Sequence, residues 1–219
     1  MKVVAALVAA YLLGSIPWAY IAGRFRGVDL RKFGSGNLGT TNVLRLLGVP
    51  AALIVYALDA LKGALPVLLF PGWFGFPERG VWAILCGVAA ILGHVRPIFL
   101  MWKGGGKGVA TASGVFFALT PLATFASFIG FVLVMLTTRR MSLASLTGAV
   151  IVPVGVALTN GPDNLVFGVS LGVSAFVFWT HRANIGRLRR GEEPKLSFRR
   201  SDEKKSPDSI DGLTPQGRA

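Results

Sequence analysis

A chain of 219 residues that is 53% hydrophobic and only 15% charged, with a mean hydropathy of +0.60, is too apolar for an ordinary soluble domain. It reads as a polytopic α-helical membrane protein. The net charge of +13 would point to nucleic acid on a soluble domain, but here it is confined between apolar runs, so no nucleic-acid partner is expected.

Apolar length predicts seven membrane spans, at residues 3–22, 51–70, 81–102, 108–120, 122–138, 143–159 and 164–180. The first is a span and not a signal peptide, because no small-residue cleavage site leads into a soluble domain and more spans follow. The fourth is short for a hydrocarbon core of ~30 Å, which predicts that spans four and five are partly broken or shielded by neighbours. Gly14, Gly87, Gly93, Gly130, Gly148, Gly168 and Gly172 lie within spans, where small residues let helices approach closely. Asp59 and Lys62 sit i, i+3 on one face of the second span and are expected to neutralise one another as a structural pair. Cys86 is the single cysteine and offers neither a disulfide nor a thiolate metal site.

Twenty of the 23 Lys and Arg residues fall on one side of these spans. Five lie in loop 23–49, three are Arg96, Lys103 and Lys107, two are Arg139 and Arg140, and ten follow from Arg182 onward. The positive-inside rule then places the N-terminus outside and the C-terminus in the cytoplasm. An odd number of spans agrees. Residues 1–196 are read as one integral membrane domain. Residues 197–219 are read as a disordered polar cytoplasmic tail whose basic part meets anionic lipid headgroups.

Three constellations on the basic side carry chemistry. The first runs Gly34-Ser35-Gly36-Asn37-Leu38-Gly39-Thr40-Thr41-Asn42 and continues through Arg45 to Gly48 and Pro50. Its glycines bring backbone N–H groups close to a ligand. Thr40 or Thr41 would cap the short helix that follows, whose N-terminus attracts an anion, and Arg45 would fork onto phosphate oxygens. The stretch matches G-x-G-x-x-G formally, but a basic loop after a membrane span, with no βαβ unit, excludes a dinucleotide site. The second, Lys103-Gly104-Gly105-Gly106-Lys107-Gly108, joins flexible backbone to ammonium groups at a helix start. It is no Walker loop, since Gly108 stands where Ser or Thr would hold magnesium. The third, from His181 to Arg190, sets His181, Asn184 and Arg187 on one helical face. Ser142, after Arg139 and Arg140, serves as a helix cap as readily as a ligand.

His94 and His181 are the two histidines, and Asp29 is the one carboxylate in the basic loops ahead of the tail. A metal site or a paired-carboxylate mechanism is therefore not expected. Anion-binding groups gathered on one side of a membrane fit multiply phosphorylated substrates, one of them lipidic.

The runs GSGNLGTTNVLRLLG (34–48), GHVRPIFLMWKGGGKGVAT (93–111) and HRANIGRLRRGEE (181–193), in this order among seven spans, resemble the bacterial acyl-phosphate:glycerol-3-phosphate acyltransferases, the PlsY family. The resemblance covers the chain up to about residue 198. It implies that residues 1–196 form an acyltransferase domain moving a fatty acyl group from acyl-phosphate to the sn-1 hydroxyl of glycerol-3-phosphate. The products would be lysophosphatidic acid and phosphate, in the first acylation step of phospholipid biosynthesis. It further implies a monomer in the bacterial cytoplasmic membrane among membrane lipids, with its active site facing the cytoplasm and neither cofactor nor metal. Carried over by motif position, the phosphate-binding groups are Ser35, Asn37, Thr41, Asn42, Arg45, Lys107, Ser142, His181 and Asn184, with His181, Ser35 and Asn184 as catalytic candidates. The family commonly has K-G-G-K-G, whereas three glycines separate Lys103 from Lys107 here. Lys107 aligns by its downstream G-V-A-T.

Acyl-phosphate is already activated, so direct attack by the glycerol-3-phosphate hydroxyl is expected, its proton passing to His181 or to a substrate phosphate oxygen, with no acyl-enzyme on Ser35 or Ser142. A transporter of a phosphorylated metabolite is the alternative. The absence of an inverted repeat, and phosphate groups confined to one face, count against it.

Overall fold

The first apolar run bends. Helix α1 (Lys2–Gly14) stops and α2 (Trp18–Phe25) restarts, because Pro17 brings no N–H to the ladder. The Ile16 carbonyl exposed at this break accepts a hydrogen bond from Lys62 Nζ at 2.7 Å. In this computed structural model, which describes residues 1–196, the expected tail lies outside the described residues.

Lys62 comes from α4 (Val49–Trp73), a 25-residue helix that starts on Pro50 in its first turn and runs on through Pro66 and Pro71. Its Nζ also lies 2.7 Å from Asp59 Oδ1, and His94 Nδ1 of α5 (Arg79–Val95) lies 3.5 Å from the same oxygen. All three side chains are buried. The expected Asp59–Lys62 pair is thus part of a polar hub that ties the α1–α2 break, α4 and α5 together. A cavity of about 10 Å³ beside it has room for about one water.

Close backbone approach joins the helices. A methyl group at Gly14 or Gly93 would collide with the facing backbone across α1 and α5, and one at Gly63 would strike the Thr111 carbonyl. Between α8 (Met141–Asn160) and α7 (Pro121–Thr138) the glycines make room for side chains instead, Gly148 for the Ser127 hydroxyl and Gly130 for the tip of Ile151. Gly168 and Gly172 of α9 (Leu165–Thr180), expected at such contacts, face open space instead.

A helix stands at each predicted span. Among the described residues five segments are long and apolar enough to cross a membrane: Lys2–Phe25, Val49–Trp73, Gly80–Leu100, Pro121–Thr138 and Met141–Asn160. A sixth exists if α9 and α10 (Arg182–Arg189), bent by 62° at His181, form one broken span. The helix at the fourth position, α6 (Val109–Leu119), has 11 residues. At about 1.5 Å rise per residue it covers roughly half of a bilayer core. It survives because α4 and α7 flank it, and Thr111, Ala112, Gly114, Val115 and Phe116 are buried. The remaining helix, α3 (Thr40–Leu47), buries Val43 in a cluster with Leu30, Leu38 and Val55.

Candidate active site

Asn42 folds the first loop. Its Nδ2 donates to the carbonyls of Leu30 (3.0 Å) and Phe33 (3.1 Å), and its Oδ1 accepts from the Ser35 N–H at 3.0 Å. Gly34, at φ +62°, leaves the space that Oδ1 occupies, where a Cβ would collide with it. Asn42 is 1% exposed, so its amide staples the loop. Gly39 is the N-cap of α3, and no side chain caps it. Thr40 and Thr41 lie inside the helix, and the expected threonine cap does not form. Arg31 stays out of the site: it pairs with Asp29 at 2.8 Å and lies over the Tyr20 ring. The hydrogen bond from Arg31 outweighs partial burial and holds the Asp29 carboxyl at about 2.

Packing explains the three glycines of the second loop. A Cβ at Gly105 would strike the Val95 carbonyl and one at Gly106 the His94 ring, while Gly104 takes φ +79°. The Gly106 N–H donates to the His94 carbonyl at 3.2 Å. The loop therefore lies flat on the end of α5, above the buried hub. Asn37 Nδ2 reaches across from the first loop to the Gly105 carbonyl at 3.4 Å. Lys103 points into solvent, whereas Lys107 turns inward.

Lys107 begins a chain of polar contacts. Its ammonium donates to Asn184 Oδ1. Asn184 Nδ2 donates to Glu193 Oε1 at 2.6 Å, and Arg187 Nε donates to Glu193 Oε2 at 2.8 Å. The Thr180 hydroxyl holds the Lys107 carbonyl at 3.2 Å. Ser142 lies inside the first turn of α8 and caps nothing. Its hydroxyl is buried beside the Glu193 carboxylate, without a hydrogen bond of good geometry. Arg45 of α3 lies within electrostatic reach of Glu193, Arg187 and Lys107.

Burial sets the charge states. It lowers the Lys107 ammonium to about 8; Glu193 pulls it up, and Arg187 and Arg45 press it down. Burial and the Lys107 charge take His181 to about 4, so its imidazole is neutral at pH 7. His181 Nδ1 faces the Val177 carbonyl at 2.8 Å. A carbonyl only accepts, so Nδ1 carries the proton and Nε2 keeps a free lone pair. Burial raises the Glu193 carboxyl, but Asn184, Ser142 and Arg187 outweigh it and hold the group below the usual range.

The fold thus draws together Arg45, Lys107, Ser142, His181 and Asn184, with Asn37 joined through Gly105. The Ser35 side chain is exposed on the first loop, and Thr41 is half-buried in α3. Glu193 is the member that residue patterns missed. It follows four arginines in nine residues, and its signal is a carboxylate kept inside a basic run. Ionised, it accepts one hydrogen bond at each oxygen, from Asn184 and from Arg187. Among the described residues, no three His, Cys, Asp or Glu cluster to hold a metal ion.

Cationic groups from separate segments thus gather in one site of an apolar helical membrane protein. Residues 4–191 match the family model described as glycerol-3-phosphate acyltransferase. Curated relatives carrying that name are 42% identical in Synechococcus elongatus, over 92% of this chain and 98% of the relative, and 40% identical in Aquifex aeolicus, over 90% and 100%. The chain belongs to the glycerol-3-phosphate acyltransferase family. Its fold is similar to the crystal structure of PlsY (YgiH), an integral membrane glycerol 3-phosphate acyltransferase. In the glycerol 3-phosphate form the TM-score is 0.81 at 38% identity, covering 90% of this chain and 96% of that one. The lysophosphatidic acid form gives 0.80 at 37% identity with the same coverage.

Proposed function

We propose that this protein transfers a fatty acyl group from acyl-phosphate to the sn-1 hydroxyl of glycerol-3-phosphate, releasing inorganic phosphate and lysophosphatidic acid. This is the first acylation of phospholipid biosynthesis. The observation that carries the reading is the meeting of Arg45, Lys107, His181 and Asn184, from three segments far apart in the chain, in one cationic site. Two phosphorylated reactants repel each other, and these groups are suited to hold both.

The hydroxyl oxygen attacks the acyl carbonyl carbon, the carbon–oxygen bond to phosphate breaks, and phosphate leaves with its electron pair. Because the donor is a mixed anhydride, orientation and charge stabilisation supply most of what the reaction needs. The hydroxyl proton passes to a phosphate oxygen. His181, neutral with Nε2 as acceptor, positions the hydroxyl and does not serve as its base. Neither Ser35 nor Ser142 forms an acyl-enzyme: no base is paired with the exposed Ser35, and the Ser142 hydroxyl makes no hydrogen bond through which Glu193 could draw off its proton.

The distribution of Lys and Arg supports a protein of the bacterial cytoplasmic membrane with its N-terminus outside and its site facing the cytoplasm. It works there as a monomer. The exposed apolar helix faces meet lipid, and the acyl chain enters sideways from the bilayer, each buried methylene contributing about 0.8 kcal/mol. Purified protein in detergent, given acyl-phosphate and glycerol-3-phosphate, is expected to release phosphate in step with lysolipid. Binding of both compounds without a lysolipid product would replace the enzyme by a carrier. A stable acyl-serine adduct trapped from the donor alone would overturn direct transfer.

A further inference from the structure

An asparagine amide has a donor end and an acceptor end of the same shape, and packing alone does not decide which way it faces. At Asn184 two charges decide it. Lys107 Nζ only donates and takes Oδ1; Glu193, ionised, only accepts and takes Nδ2. The carboxylate's second oxygen holds Arg187. Glu193 is itself held from both sides. Ahead of it, the N–H groups of Gly191 and Glu192 bond the Leu188 and Arg187 carbonyls at 3.1 and 2.8 Å. Behind it, the Leu196 N–H bonds the Arg139 carbonyl at 2.7 Å. Glu193 and Leu196 are both buried. Residues 191–196 therefore form a strap that crosses from α10 to the α7–α8 turn and presses one carboxylate into a site of cations.

We propose that Glu193 is a positioning residue: its strapped carboxylate fixes the Asn184 amide, and through it the Lys107 ammonium, so that the cationic site stands ready before a phosphate arrives. The groups facing Lys107 are Arg45 from α3, His181 at the α9–α10 bend, Asn184 and Arg187 from α10, and Glu193 from the strap. Of these Glu193 bears the one negative charge. Without it, two guanidinium groups press on a buried ammonium and favour its neutral form. This inference rests on the reading of the site as one that holds phosphorylated substrates.

The test is the pH dependence of kcat/KM, which reports the free enzyme, in wild type, Glu193→Gln, Lys107→Ala and the double variant, with thermal midpoints in detergent as a control of folding. Glu193→Gln keeps an acceptor for Asn184 and loses the charge. Its kcat/KM is expected to fall roughly 10- to 100-fold, the effect of a charge-assisted hydrogen bond, and its alkaline limb to move to lower pH by roughly one unit. Adding the substitution to Lys107→Ala should cost much less. A lowered midpoint with an unmoved limb, or full additivity in the double variant, would reduce Glu193 to a structural role and overturn the proposal. A wild type that transfers no acyl group would instead overturn the reading of the site beneath it.

Discussion

Lys107 and Asn184, 77 positions apart, are joined by a hydrogen bond from ammonium to amide oxygen. That bond connects the glycine loop on the end of α5 to the helix that follows the last apolar run. Lys107→Ala removes the ammonium and leaves Asn184 Oδ1 without its donor. A charge-assisted bond is worth about 1.5–3 kcal/mol, so kcat/KM is expected to fall at least roughly tenfold. In wild type kcat/KM should also decline above about pH 8, because the ammonium is lost as pH rises through its value in the folded protein. Flat kcat/KM from pH 7 to 10 would remove Lys107 from phosphate binding.

Asn42 stands among groups that resemblance assigns to substrate, yet three hydrogen bonds, the one to Leu30 buried, engage its amide. Asn42→Ala strands the buried Leu30 carbonyl at about 1–3 kcal/mol and removes the bonds to the part-buried Phe33 carbonyl and Ser35 N–H. The expected result is a lower thermal midpoint and faster proteolysis within residues 30–39. A variant with unchanged midpoint and a raised KM for glycerol-3-phosphate would return Asn42 to the ligand set.

How much of this was legible beforehand depends on whether the signal is local. Apolar runs such as 143–159 mark a helix directly, because lipid demands some twenty consecutive apolar residues. Asp59 and Lys62 show their partnership in their i, i+3 spacing. The Ser15–Pro17 break is hidden, because the hydropathy of residues 2–25 carries across it. The shortness of α6 is half visible in its length, but its burial against α4 depends on Gly63 meeting the Thr111 backbone and Gly114 the Ala60 backbone. Glu193 was obscured by the arginines around it, and the Asn42 staple by partners 7 to 12 residues away. Three successive glycines looked like a phosphate cradle; two of them answer to steric contacts with His94 and Val95.

The buried hub makes a prediction about folding. Asp59→Ala leaves Lys62 without its counter-charge at a position where both side chains are 2% exposed. Breaking a buried pair from one side costs about 3–5 kcal/mol. Folded yield and thermal midpoint in detergent should drop sharply, while the folded fraction keeps a KM near that of wild type. A normal midpoint with lost substrate affinity would mean that Asp59 belongs to the site.

His181 carries a pH signature of its own. In the unfolded chain the imidazole titrates at its ordinary 6.5, and in the folded protein burial holds it near 4. Between these values the unfolded state binds more protons, so stability is lost as pH falls through that window, reaching about 3 kcal/mol near pH 4. The Glu193 carboxyl, depressed below 4.5, adds its own loss only at the acid end, below the span from pH 6.5 to 5. The midpoint of wild type should fall across that span, and His181→Gln should flatten the curve. The same variant decides the proton's destination: with a substrate phosphate as acceptor, His181→Gln keeps measurable turnover and an unaltered pH profile. Complete loss of turnover in a folded variant would make the imidazole the base.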